Sequence, residues 1–153
     1  RYVDHEARLI HVGSFGGLER YHALLQAKCY ELRLDRVDWL GSVSMEALRA
    51  CYQSATVFLC LSEHEGFCIP LMEAMARGVP VVAYGAAAVP ETLDGAGVLF
   101  HEKRFDLIAE TIGELARRPD LRAAVVAGQK ARVERYLNQD FAGRWRSMLK
   151  PLL

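Results

Sequence analysis

The sequence predicts an α/β domain in which a doubly wound parallel sheet is followed by C-terminal helices. Three observations predict this fold class: five short apolar runs resemble strands, segments of helical periodicity separate them, and only helical patterns follow the fifth run. Strands that alternate with helices form parallel sheets covered on both faces. We expect residues 1–153 to form one domain, since this length suits a single hydrophobic core.

The strand-like runs are 9–12, 37–40, 57–61, 81–84 and 97–100. The third and fourth runs are apolar almost throughout, which is typical of strands buried on both faces. His11 interrupts the first run and Trp39 lies in the second; we interpret both as core residues. In doubly wound sheets, ligands bind at the carboxyl ends of the strands, where the connecting loops gather.

Helical patterns fill the intervals between the strands and the C-terminal part of the chain. Ser44 is a suitable N-cap for the second helix. Pro70 and Gly78 bracket the third, because proline is favoured at the first helical position and glycine just past the end. Four predicted helices span 18–32, 105–116, 119–136 and 141–149. Three more are predicted between the strands: one begins after Ser44, one runs from Pro70 to just before Gly78, and a short one begins at Pro90.

The last helix places an apolar stripe at Phe141, Trp145, Met148 and Leu149. The simplest interpretation of Phe141 and Trp145 is that they belong to the core. If the helix packs on a further domain, part of its apolar face is exposed here, and Trp145 and Leu149 are then expected to mediate self-association.

Composition excludes several function classes. Lysine plus arginine and aspartate plus glutamate number 19 each, so nothing marks the chain as a nucleic-acid binder. The four cysteines, Cys29, Cys51, Cys60 and Cys68, form no C-x-x-C pair, and we expect no metal site. No signal peptide or membrane-length apolar stretch is evident. We expect a cytoplasmic protein, with the inner face of the membrane as an alternative place of action.

The segment 62–78 carries the chemistry that the residues themselves suggest. Its loop leads from the most apolar strand to a helix start near Pro70, where free backbone N–H groups and the helix dipole favour an anion such as a phosphate. Gly66 lets the backbone approach a ligand closely. Glu65 and Glu73 beside that anion site are suitable acceptors for sugar hydroxyls, although an acidic residue near a helix start often serves only the dipole.

The string Ser62-Glu63-His64-Glu65-Gly66-Phe67-Cys68-Ile69-Pro70-Leu71-Met72-Glu73-Ala74-Met75-Ala76 resembles the acidic signature of glycosyltransferase family 4. The similarity continues through 78–83, 89–92 and 96–100, and upstream through 9–13, 36–41 and 48–62. It therefore extends over most of the chain. The resemblance implies the C-terminal, nucleotide-sugar-binding half of the two-domain B-type (GT-B) fold, which is Rossmann-like.

By this resemblance Glu73 holds the ribose hydroxyls of the donor, and Glu65 is the catalytic residue beside the transferred sugar. The backbone from Gly66 through Phe67 and Cys68 to Ile69 meets the sugar and diphosphate. Gly41, Ser42 and Val43 face the base. Glu91 matches a recurrent family residue, and a plain first-turn glutamate after Pro90 is an equal alternative.

The chain departs from the family pattern at three places. Ala86-Ala87-Ala88 replaces a stretch that is often richer in glycine. Cys68 stands where glycine is common, so we expect a negative φ there. The family's first strand, Gly-rich turn and diphosphate-clamping arginine and lysine have no counterpart, and Arg1 matches neither basic residue. We therefore expect a piece of a longer protein that is inactive alone, because the reaction of a two-domain enzyme takes place in the cleft between its domains.

The implied function is retaining transfer of a hexosyl group, such as mannosyl or glucosyl, from a GDP- or UDP-linked sugar to a saccharide or lipid-linked acceptor in polysaccharide biosynthesis. The resemblance suggests front-face attack assisted by the leaving phosphate, with Glu65 positioning the sugar and with neither cofactor nor metal. The alternatives are a nucleotide-sugar 2-epimerase-like domain, which should lack the extended Glu65 string, and a non-catalytic nucleotide-sugar-binding module, which would need Glu73 but not Glu65.

Overall fold

The computed structural model describes residues 3–152; Arg1, compared above with the family's basic clamp, lies outside them with Tyr2 and Leu153. The strands are β1 Leu9–Val12, β2 Val37–Gly41, β3 Phe58–Cys60, β4 Val81–Tyr84 and β5 Val98–Phe100. The helices are α1 Glu19–Glu31, α2 Met45–Ser54, α3 Ile69–Ala76, α4 Val89–Leu93, α5 Phe105–Arg117, α6 Pro119–Leu137 and α7 Phe141–Leu149, followed by a 3-10 turn at Lys150–Leu152. Every predicted element is present within a residue or two of its predicted bounds. None of the described helices has the length and apolar content needed to cross a membrane.

All the paired strands run parallel. Strand β1 pairs with β2, with Leu9 opposite Val37. Strand β4 lies between β3 and β5, with Leu59 opposite Val82. The predicted parallel α/β class is confirmed, with its strands hydrogen-bonded in a group of two and a group of three.

Strand β4 lies at the centre of the hydrophobic core. Val81, Val82 and Ala83 have no solvent exposure. Val81 and Ala83 belong to the cluster that contains Leu71 of α3, whereas Val82 packs in a second cluster with Ile108 of α5. Successive strand residues point to opposite faces, so this partition means that helices cover β4 on both sides. The uninterrupted apolar run in the sequence has this physical cause.

A buried polar side chain of α6 is hydrogen-bonded to the backbone where β4 begins. The Gln129 side chain has no solvent exposure. Its Nε2 donates to the carbonyl oxygen of Val79 and its Oε1 accepts from the backbone N–H of Val81, both at 2.8 Å. A buried amide is stable only when its donor and acceptor are both paired. Helix α6 therefore fixes where β4 begins, and with it the loops at the far end of that strand.

The N-terminal part of the domain is much less buried. Helix α1 has no buried residue, and Leu9 and Ile10 of β1 are 51% and 40% exposed. The core interpretation of His11 is wrong: it is exposed and stacks on Phe15, with ring centroids 5.6 Å apart. Trp39 is half-buried beside it.

The core interpretation of the last helix is also wrong. Trp145 is 61% and Phe141 is 41% exposed, and α7 has no buried residue, so the other described elements do not cover its apolar stripe. The expected exposure of part of this face is confirmed. Self-association through Trp145 and Leu149 stays a prediction.

Candidate functional site

The loop from β3 to α3 is held in place by the segment around α4. The backbone N–H of Ala88 donates to the carbonyl oxygen of Glu65 at 3.4 Å. The hydroxyl of Thr92, a residue that is 1% exposed, donates to the carbonyl oxygen of Phe67. Phe67 also packs its ring on Tyr136 of α6 at 5.4 Å. These contacts give the loop a defined path at the carboxyl end of the three-stranded sheet.

Cys68 is the N-cap of α3 and has a left-handed backbone, with φ 61° and ψ 65°. The expected negative φ is therefore wrong. A residue with a Cβ pays about 1–2 kcal/mol for this conformation. The turn into α3 requires it, and burial of the thiol beside Cys60 keeps the side chain in place: Cys68 is only 6% exposed and the two Sγ atoms are 3.9 Å apart.

Four successive backbone N–H groups, from Gly66 to the first residue of α3, have no hydrogen-bond partner among the described residues. Among the hydrogen bonds of residues 3–152, none uses the N–H of Gly66, Phe67, Cys68 or Ile69 as donor. Gly66 and Ile69 are exposed, whereas Phe67 is half-buried and Cys68 is buried, so the two ends of this run of donors reach the surface. Unpaired N–H groups at the positive end of a helix dipole form a favourable environment for an anion.

Glu73 is the fifth residue of α3 and lies just beyond the first turn, because the helix begins at Ile69, one residue earlier than Pro70. Its Oε2 accepts a hydrogen bond of 3.1 Å from the Tyr52 hydroxyl, which also lies 3.4 Å from the carbonyl oxygen of Pro70. The carboxylate is thus held beside the start of α3. Burial and the negative charge of Glu73 raise the pKa of Tyr52, so the phenol keeps its proton and remains a donor.

Glu65 also lies near the start of α3, beside the thiols of Cys60 and Cys68. It is half-buried, and a carboxylate oxygen lies within 4.8 Å of the Sγ atoms of both Cys60 and Cys68. No hydrogen bond or ion pair of the described part of the chain involves its side chain, which leaves both carboxylate oxygens available to a ligand. Glu65 and Glu73 therefore both lie near the N-terminal turn of α3, with the unpaired N–H groups between them in sequence.

The structure does not join the second predicted segment to this site. Gly41 ends β2 with φ 63°, and its carbonyl oxygen accepts from the N–H of Gly13 at 3.0 Å. Ser42 is exposed and Val43 is half-buried. Within residues 3–152, no hydrogen bond, ion pair or ring contact connects 41–43 to the loop 65–69. Both segments lie at the carboxyl ends of their strands, in different sheets.

Two supporting residues were not assigned to the site by sequence reasoning. The sequence analysis gave Tyr52 no role in the site, yet a buried tyrosine hydroxyl needs a partner, and this requirement is a usable signal. Arg77 donates to the carbonyl oxygen of Glu73 at 3.0 Å and lies over the Tyr52 ring at 4.9 Å. The flanking His64 and the alternative candidate Glu91 are both exposed.

The candidate site includes exposed residues of the loop before α3, Gly66 and Ile69. An open cavity of about 780 Å³ lies elsewhere, between α6 and the start of α7, where Asp94, Arg132, Arg135 and Arg144 are among its lining residues. None of the residues that line it belongs to the loop before α3. A surface of this kind suits one side of a cleft whose other side is supplied by a second body.

Three comparisons place the chain among known proteins. The family model described as "Glycosyl transferases group 1" matches residues 2–134. An O-antigen chain mannosyltransferase B of Escherichia coli is 37% identical over 76 residues, which is 50% of this chain and 20% of that protein. A GDP-mannose:cellobiosyl-diphosphopolyprenol alpha-mannosyltransferase of Xanthomonas oryzae pv. oryzae is 36% identical over 88 residues, 56% of this chain and 23% of that protein.

Among solved structures, Anabaena HepE in complex with UDP and glucose is similar in fold, with a TM-score of 0.75 and 24% identity over 92% of this chain and 40% of that chain. The chain spans about a quarter or less of the two curated relatives above. The family match extends across both strand groups and the loop that carries Glu65 and Glu73. The chain therefore belongs to the glycosyl transferases group 1 family.

Proposed function

We propose that this chain is the nucleotide-sugar-binding half of a retaining glycosyltransferase. The enzyme transfers a hexosyl group, such as mannosyl or glucosyl, from a nucleoside-diphosphate sugar to a saccharide or lipid-linked acceptor. The chain supplies the donor side of the reaction, and the acceptor is held by a further domain. Neither a cofactor nor a metal takes part.

The proposal depends on one observation: the start of α3 combines free hydrogen-bond donors with carboxylate acceptors. Unpaired N–H groups from Gly66 to Ile69 lie in sequence between two half-buried carboxylates, Glu65 and Glu73, near the start of α3. A diphosphate needs donors without a competing negative charge, whereas sugar and ribose hydroxyls need acceptors. Only a ligand that carries both kinds of group uses all these features at once.

In the proposed reaction, the bond between the anomeric carbon and the phosphate oxygen breaks, and the nucleoside diphosphate leaves with an additional negative charge. The backbone N–H groups stabilise that charge where it develops, which lowers the barrier because the donors are already oriented. Glu73 holds the ribose and so fixes the distance from the diphosphate to the sugar. Glu65 stabilises the positive charge that develops at the anomeric carbon and orients the sugar for attack on the same face.

The choice of donor is supported by relatives. The Xanthomonas relative is named for GDP-mannose and a diphosphopolyprenol-linked acceptor, and the HepE structure holds UDP and glucose. We therefore propose a GDP- or UDP-linked hexose as donor and a lipid-linked or free saccharide as acceptor, in polysaccharide assembly. In this scheme Gly41, Ser42 and Val43 lie next to the base.

Calorimetric titration of the intact protein with GDP, UDP and their hexose conjugates tests the proposal. We expect one nucleotide series to bind, and we expect Glu73→Ala to weaken it by about 2–3 kcal/mol, roughly 30- to 150-fold in Kd, because a charged acceptor of two hydroxyls is lost.

Glu110→Ala is the matched control, since Glu110 is an exposed helical glutamate of α5, away from the loop before α3. Equal affinity of the Glu73 variant and the parent would remove Glu73 as the ribose anchor. Tight donor binding without transfer to any saccharide acceptor would favour a binding module over a transferase.

A further inference from the structure

The loop before α3 brings together three side chains that the proposed reaction does not use as a group. Cys60 ends β3, Cys68 caps α3, and Glu65 lies between them in the loop. One ligand atom from each lies within 4.8 Å of the other two. Both thiols are buried, whereas Glu65 is half-buried and opens the cluster to solvent. The sequence expectation of no metal site rested on the lack of C-x-x-C spacing, and the fold brings these cysteines together over a longer interval.

The distance between the Cys60 and Cys68 sulfurs can be compared with the spacing in a metal site and in a disulfide. Two thiolates bound to one tetrahedral Zn²⁺ at about 2.3 Å each are about 3.8 Å apart. The Cys60 and Cys68 Sγ atoms are 3.9 Å apart. A disulfide needs about 2.05 Å between the sulfurs, so the same pair would have to close by almost half. The spacing of the pair matches that of two thiolates on one metal ion and also fits a hydrogen bond between two thiols, whereas it is too long for a disulfide.

We propose that Cys60, Glu65 and Cys68 form a three-ligand site for a thiophilic divalent cation such as Zn²⁺, with the fourth position open to water. Binding replaces the two thiol protons: Zn²⁺ and two S–H groups give two Zn–S bonds and two protons released to solvent. The Glu65 carboxylate supplies the third bond from the solvent side. A carboxylate oxygen within 4.8 Å of the sulfurs needs to move by about 1 Å to reach the spacing of a shared ligand shell.

If the chain has the proposed function, a cation bound at this site blocks the role of Glu65 in transfer. A carboxylate that is bound to a cation cannot at the same time stabilise positive charge on a transferred sugar. The cation is therefore an inhibitor and not a cofactor, and its removal restores the free Glu65. Metal binding itself does not depend on the identity of the donor.

Titration of the reduced intact protein with Cd²⁺, followed by the ultraviolet thiolate-to-metal absorption, and with Zn²⁺ against a chelating dye, tests the site without any nucleotide. We expect one equivalent to be lost in Cys60→Ser and in Cys68→Gly, with affinity lower by at least about 100-fold, the upper end of what loss of an outer-shell partner costs. Glu65→Gln should weaken binding by about 10-fold or more while the thiolate absorption persists.

Cys29→Ser and Cys51→Ser are matched controls, because both thiols are half-buried and lie outside the cluster. Cys68→Gly guards against misfolding, since glycine adopts the left-handed backbone of this position without strain. Unchanged binding in both Cys60→Ser and Cys68→Gly, or loss of the same equivalent in the control variants, overturns the proposal. Metal binding without donor binding would leave the site standing and remove only its inhibitory role.

Discussion

The Tyr52 hydroxyl donates to Oε2 of Glu73 across 3.1 Å, although the two residues are 21 positions apart and lie on different helices. Tyr52 is 6% exposed, so α2 and α3 must pack closely for its hydroxyl to reach this partner. The tyrosine therefore determines the direction in which the Glu73 carboxylate points. In the proposed function it is a positioning residue, because it acts through Glu73.

Tyr52→Phe keeps the ring and removes only the hydroxyl. We expect the Kd for the nucleotide to rise about 2- to 10-fold, which corresponds to the net contribution of one hydrogen bond of roughly 0.5–1.5 kcal/mol. Calorimetry with the nucleoside diphosphate measures it. Tyr30→Phe is the control, since Tyr30 is 89% exposed. An identical Kd for Tyr52→Phe and Tyr30→Phe would show that the hydroxyl does not orient the carboxylate.

The left-handed backbone at Cys68 predicts an unusual order of stability. Alanine and glycine both remove the thiol, but only alanine keeps a Cβ in the strained conformation. We expect Cys68→Gly to be more stable than Cys68→Ala by up to about 1 kcal/mol, since relief of about 1–2 kcal/mol of strain exceeds the entropy cost of glycine. Urea unfolding of both variants checks this order, and a more stable alanine variant would contradict the assigned backbone.

The buried amide of Gln129 predicts a large effect far from the candidate site. Gln129→Leu leaves the Val79 carbonyl and the Val81 N–H without partners, and we expect a loss of about 2 kcal/mol or more in the free energy of unfolding. Gln26→Leu on exposed α1 should change it by less than about 0.5 kcal/mol. Thermal or urea denaturation compares the two. A similar small effect at both positions would mean that water replaces the lost amide.

Glu65→Gln separates positioning of the sugar from binding of the nucleotide. We expect kcat of the intact enzyme to fall about 100-fold, because a charge that stabilises the transition state is neutralised, with the Kd for the nucleoside diphosphate nearly unchanged. Steady-state kinetics and calorimetry supply the two numbers. Glu63→Gln is the control in the same loop; its exposed ion pair with Lys103 contributes little. Parallel losses in kcat and nucleotide affinity would place Glu65 at the diphosphate and not at the sugar.

Burial raises the pKa of the Cys68 thiol to about 12, with Cys60 and Glu65 as further causes, from an ordinary value of 9.0. Between these values the native state keeps a proton that the unfolded chain has released. Stability from this thiol is therefore complete below about pH 9 and is lost as the pH rises toward 12.

Unfolding free energies from urea titrations at pH 8 and at about pH 10.5 should fall more steeply in the parent than in Cys68→Gly. Tyr52, whose pKa is raised chiefly by burial and by Glu73, adds a loss of the same sign to both proteins, so the difference between them comes mainly from the thiol. Parallel decreases would show that the thiol titrates normally.

The sequence predicted the α3 region well because its signals are local. Pro70 lies at the second position of the helix, and Gly78, with φ 70°, follows the last turn, so both residues act through their own backbone preferences. The contact between Tyr52 and Glu73 depends instead on how two helices pack, and no local pattern encodes it. The sign of φ at Cys68 was predicted incorrectly. Residues other than glycine generally prefer a negative φ, but the packing around Cys68 requires the rarer left-handed backbone.

The exposed positions were missed for a different reason. His11 and Trp145 lie in apolar patterns of the correct period, which fix the direction of a side chain but not what covers it. Periodicity therefore predicted the strand and the helix correctly and the burial of these two residues incorrectly.

The unequal burial of the two strand groups has a consequence for dynamics. Backbone amides of β4, enclosed between α3 and α5, should exchange their hydrogens only on global unfolding, whereas those of α1 should exchange through local opening. The loop with Glu65 and Glu73 is attached to the slowly exchanging side. In the proposed function, thermal fluctuations of the N-terminal segment would therefore change the surroundings of the base without displacing the loop that binds the diphosphate.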